Sequence, residues 1–105
     1  MQNYKLNLEK ALDIMDELYS AYVQTPDKYG PYWGYVRHYQ YGYINYKYSS
    51  KCDPARRLNF VKKAKNFFEL SAKELPSLAV DLHRLIADRI NLCDEQIRCL
   101  IESQQ

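Results

Sequence analysis

Tyrosine dominates what this chain could use for recognition. Eleven of its 105 residues are tyrosine, and nine aromatic side chains fall between Tyr29 and Tyr48, interleaved with or followed by Arg37, Lys47, Lys51, Arg56 and Arg57. A tyrosine ring joins a broad apolar face to a polar tip, a combination enriched where proteins touch partners. Rings among cations can also stack on the bases of a single-stranded nucleic acid while the cations meet its phosphates. Residues for bond-making chemistry are sparse. His38 and His83 stand at no metal-ligand spacing from a cysteine or carboxylate, and no nucleophile with its base can be assembled. Glycine-rich phosphate loops and paired Glu-x-x-His segments are absent. The expectation is a chain that binds and does not catalyse, with no cofactor and no metal.

Cys52, Cys93 and Cys99 are an odd number, and no basic and apolar leader precedes the first helical pattern, so the cysteines are expected to be free thiols in the cytoplasm. Cys93 and Cys99 would stand about 120° apart around a helix, which suits neither a disulfide nor a metal. No apolar run approaches the roughly 20 residues of a membrane span, so no membrane partner is expected.

The net charge of +2 conceals an uneven distribution. Residues 47–65 carry seven basic side chains against Asp53 alone, whereas the segments before residue 25 and after residue 65 are net acidic. The basic stretch can steer an acidic partner, or it can balance the acidic ends within the fold.

To be useful, these side chains need elements to hold them. Leu8, Ala11, Leu12, Met15, Leu18, Tyr19 and Tyr22 recur at three- and four-residue steps with Glu9, Asp13, Asp16 and Glu17 between them, which predicts a helix over about 3–24, capped by Asn3 and ended by Thr25-Pro26-Asp27. Residues 31–50 read two ways. As a helix they place Tyr32, Val36, Tyr39, Tyr43 and Tyr46 on one stripe facing the core; as strands, Tyr35, Arg37, Tyr39, Tyr41 and Tyr43 alternate. Length and the lack of a good hairpin turn favour the helix, with Gly42 placed where another helix comes close. Asp53 and Pro54 open a third helix over 54–75 with Leu58, Val61, Ala64, Phe68, Ser71 and Leu75 on one side, and Pro76 ends it. Ser77 is expected to cap a last helix over 77–103, with Leu78, Leu82, Leu85, Ile86, Ile90, Cys93, Ile97, Leu100 and Ile101 in a stripe and Arg84/Asp88 and Asp94/Arg98 as pairs outside it. At that length its end would overhang the body and could meet a second copy.

Val61, Ala64, Phe68, Ser71 and Pro76 carry a resemblance to a known family: their spacing is similar to the second helix of a tetratricopeptide repeat. The resemblance covers residues 61–76. The preceding half of that motif would fall on Tyr48, Lys51, Cys52 and Ala55, across the Asp53-Pro54 break. It implies an antiparallel helical hairpin, similar in spirit to tetratricopeptide proteins that bind peptide segments, and carries over no binding residue.

Residues 1–105 are therefore expected to form one all-α domain, a four-helix antiparallel bundle or tetratricopeptide-like hairpins, acting as a non-catalytic protein interaction or adaptor module. The surface expected to meet the partner comprises Tyr35, Arg37, Tyr41, Tyr48, Lys51, Arg56 and Arg57. The alternatives are a small nucleic-acid-binding regulator and an inhibitor or immunity protein that blocks a partner's active surface. A homodimer through the C-terminal helix is a further expectation.

Overall fold

Apolar residues at helical spacing and well-placed breakers yield helices α1 (Gln2–Gln24), α2 (Trp33–Ser49), α3 (Pro54–Glu74) and α4 (Val80–Ser103). The computed structural model describes residues 2–24 and 33–104, with side chains from 7 to 24 and from 34 to 104. The proposed stop at Thr25-Pro26-Asp27, and Tyr29, Pro31 and Tyr32, lie outside the described residues. No strand occurs among those described, so the alternating reading of Tyr35–Tyr43 does not hold and the fold is all-α.

The helix ends follow local chemistry, with two corrections. Asn3 lies inside α1 and so does not cap it. Asp53 occupies the position before α3 with Pro54 at its first turn, although the Asp53 side chain makes no capping bond. Leu75 leaves the helix in an extended conformation (φ −71°, ψ 138°), as a residue before proline must. Its N–H still donates to the Ser71 carbonyl at 3.1 Å. α4 then begins at Val80, three residues later than expected: the Ala79 N–H donates to the Pro76 carbonyl at 3.0 Å, and this turn takes up Ser77 and Leu78. Ser77 is therefore not the cap, and Leu78 stands 92% exposed outside the apolar stripe.

Neighbouring helices run antiparallel. Tyr19 meets His38 and Tyr48 meets Glu9 between α1 and α2; Ser71 Oγ donates to the Tyr35 carbonyl at 2.8 Å between α3 and α2. Lys65 pairs with Asp94 at 2.6 Å between α3 and α4. That last pair sets a register in which the end of α4 falls beside the start of α3, so α4 does not overhang the body as expected. It also takes Asp94 away from Arg98, which pairs with Glu102 at 3.6 Å instead.

The core is double. α2 and α3 form a close central pair, made possible by Gly42, where an added Cβ would stand 3.1 Å from the Ala64 carbonyl oxygen and 3.0 Å from Phe68 Cδ1. On one side of this pair α1 contributes Leu8 and Leu12 to a cluster with Tyr41, Tyr48, Cys52 and Phe67. On the other, α4 brings Ile86 and Cys93 against Val61, Ala64, Phe68 and Leu75, with Tyr35, Tyr39 and Tyr46 packed around them. Val61, Ala64, Phe68, Ser71 and Leu75 thus form the buried face expected of α3. α2 differs from expectation. It buries rings toward both flanking helices, so Tyr41 and Tyr48 are interior while Tyr43, placed by periodicity on the core stripe, is exposed.

Candidate functional site

The expected partner residues divide sharply. Tyr41 and Tyr48, only 5% and 6% exposed, are core residues. The Tyr41 hydroxyl donates to the Asp16 carboxylate and accepts from Lys63 Nζ at 3.1 Å, while the Tyr48 hydroxyl donates to Glu9 at 3.5 Å. Burial, with the nearby Asp16 and Glu9 carboxylates, raises both phenols above their ordinary pKa. An exposed patch built on these two rings is therefore corrected: α1 covers them.

Part of the basic stretch is engaged within the fold. Arg57 Nε donates to the Ser49 carbonyl at 2.9 Å and its Nη2 to the Cys52 carbonyl at 3.4 Å, clasping the turn between α2 and α3. Arg56 lies 5.2 Å from the Phe60 ring centroid and lines a groove opposite Glu9, Asp13 and Asp16 of α1. Lys63 is held on Tyr41 and Lys65 on Asp94. Lys51 is exposed on the turn. Lys65 thus pairs with an acidic helix, while Arg56 and Lys62 are exposed.

Tyr35 and Arg37 lie elsewhere, at the borders of a face made by the outer side of α2 with α1 and α4 beside it. Between α1 and α2 runs a groove of about 630 Å³ lined by Ala11, Ile14, Met15 and Leu18 on one wall and by Arg37, Tyr39, Gln40, Tyr43 and Ile44 on the other. Between α2 and α4 lies a second groove of about 250 Å³, lined by Tyr35, Val36, Tyr39, Gln40, Leu75, Leu82, Leu85 and Ile86. Tyr39 and Gln40 border both, so the grooves form one surface with α2 as its ridge. Ile14, Leu18, Tyr43, Leu82 and Leu85 are exposed along it, Ile14 by 56%. A soluble fold normally turns such side chains inward, and a contiguous apolar face marks a contact site.

Sequence reasoning missed Ile14, Leu18, Tyr43, Leu82 and Leu85 as surface residues. The available signal was excess: the apolar residues of α1 and α4 span more of each helix than one neighbour can cover. On α4 the buried stripe is Ile86 and Cys93 with Ile90, Ile97 and Leu100 half-buried, and the leucines at 82, 85 and 92 form a second, exposed stripe.

The remaining chemistry-bearing groups serve the packing. His38 Nε2 meets the Tyr19 hydroxyl at 3.1 Å and its Nδ1 faces the Glu74 carboxylate, an arrangement that ties α1, α2 and α3 together. Tyr19 and Tyr22 are raised above the ordinary phenol pKa, first by burial and then by Glu74. Burial, and secondarily Asp94, push the Cys93 thiol up to about 11, which makes it a poor nucleophile. No helix among the described residues is long and apolar enough to cross a membrane. The chain matches no family model, and no curated protein or solved structure is significantly similar to it.

Proposed function

We propose that the protein is a non-catalytic interaction module that docks another protein on the outer face of α2. The observation that carries this reading is the apolar continuity of that face, from Ile14 and Leu18 on α1 across Tyr39 and Tyr43 to Leu82 and Leu85 on α4. An interface core wants this composition, aromatic and aliphatic with few charges. A nucleic-acid surface would instead need a dense array of open cations, and of the seven between residues 47 and 65 Arg57, Lys63 and Lys65 are engaged within the fold. An adaptor, or an inhibitor that caps a partner's surface, uses such a face equally.

Affinity purification from the native cell tests the proposal, with wild-type protein compared with Ile14→Asp and Leu85→Asp. Both positions are exposed, so melting temperatures should stay near wild type while a co-purifying protein is lost. Retention of the same protein by both variants would remove this face from consideration.

A further inference from the structure

We infer that the occupant of the open face is an amphipathic helix with carboxylates flanking its apolar stripe. This rests on the docking reading above and adds the chemistry of the partner.

Shape is the first argument. Ala11, Ile14, Met15 and Leu18 are spaced i, i+3, i+4 and i+7 along α1, and with Tyr43 and Ile44 they bound the larger groove. A wall that repeats over two helical turns accepts the ridge of another helix, read by anchors at the same spacing. α2 is 17 residues long, about 26 Å at 1.5 Å per residue, so four to five turns of a partner can lie along it.

Charge is the second. Lys47 Nζ lies 5.5 Å from the centroid of the Tyr43 ring and the Arg89 guanidinium 5.7 Å from it. Neither cation belongs to an ion pair among the described residues, unlike Lys65 and Arg98 on the neighbouring surfaces. Two uncompensated cations around an exposed ring place positive potential at the edge of an apolar floor. A basic helix would meet repulsion there, and a neutral one would strip water from both cations without replacing it. Carboxylates beside the apolar stripe supply the missing acceptors as charge-assisted bonds.

Two synthetic helical peptides with one leucine stripe at i, i+3, i+4 and i+7, one flanked by glutamates and one by lysines, test the inference when labelled and titrated into the full chain by fluorescence anisotropy. The glutamate peptide should bind roughly tenfold or more tightly than the lysine peptide, with an advantage that shrinks as salt rises. Lys47→Glu combined with Arg89→Glu should reverse the preference; Lys47→Gln with Arg89→Gln, a milder pair should the first fail to fold, should abolish it. Leu18→Asp should weaken both peptides at an unchanged melting temperature. Equal binding of the two peptides, or a preference unmoved by the charge variants, overturns the acidic partner and leaves the docking face standing. Binding of neither peptide also overturns it. Sedimentation equilibrium then decides the face: a dimer broken by Leu18→Asp makes it an interface between copies, while a monomer with no co-purifying protein removes the docking reading as well.

Discussion

Gly42 of α2 lies directly against the backbone of Ala64 in α3, close enough that a Cβ at Gly42 would stand 3.1 Å from the Ala64 carbonyl oxygen. Alanine is the better helix former by about 1 kcal/mol. Even so, Gly42→Ala should destabilise by about 1–2 kcal/mol, because a backbone carbonyl and the wedged Phe68 ring cannot step aside. Ala64→Leu, acting on the same approach, should fall at the upper end of about 1–3 kcal/mol. Urea denaturation measures both, and a stabilised Gly42→Ala would show that the helix pair has room to spare.

Rings on opposite faces of α2 should behave oppositely. Tyr41→Ala and Tyr48→Ala should each cost about 3–5 kcal/mol, and the double variant should fail to fold, since both are core residues bonded to α1 carboxylates. Tyr43→Ala should change stability by no more than about 1 kcal/mol. Thermal melting followed by circular dichroism distinguishes them.

Stability should decline at alkaline pH. The folded-state pKa values of Tyr19, Tyr22, Tyr41, Tyr46 and Tyr48 are all raised above 10.0, foremost by burial. A raised acid keeps its proton in the native state while the unfolded chain loses it. The contribution is therefore fully present below the unfolded value of about 10 and drains away as pH climbs through the folded one. Cys93, moved from 9.0 to about 11, adds a fall that starts near pH 9. Melting temperature should be level around neutrality and drop progressively above pH about 9–10. Tyr41→Phe should flatten that drop, and an unchanged profile would contradict the burial of its hydroxyl.

Thiol labelling should report the packing of α4 and of the turn before α3. Cys99 is exposed, whereas Cys52 and Cys93 are buried. Iodoacetamide under native conditions should add a single label at Cys99, with the other two sites reacting only after denaturation, as peptide mass spectrometry will show. Early labelling at Cys93 would mean that α4 leaves α3 readily.

Much of this architecture was legible from residue spacing, and its failures have identifiable physical causes. α3 was transparent because Val61, Ala64, Phe68 and Ser71 keep helical steps between unmistakable breakers, Pro54 and Pro76. The start of α4 was not, because Ser77 is a good cap by type but the Pro76–Ala79 turn takes the chain past it. α2 was the hardest, since tyrosine is at home in a core and at a surface alike. Its periodicity selected the stripe containing Tyr43, yet three neighbouring helices determine which rings are covered, and α1 covers Tyr41 and Tyr48. The aromatic helix is where the sequence directed the search for a contact surface, and the side of it left open follows from where α1 and α4 come to rest.

The division of the interior by the α2–α3 pair leaves α1 and α4 in separate compartments. Leu8 and Leu12 are the buried apolar residues of α1 among those described, and Ile86 and Cys93 are those of α4. Among the described residues the two outer helices share no core cluster, so a substitution beneath one should leave the packing of the other intact. Because α1 forms a wall of the larger groove and α4 a wall of the smaller, each groove takes its width from a different compartment of the interior.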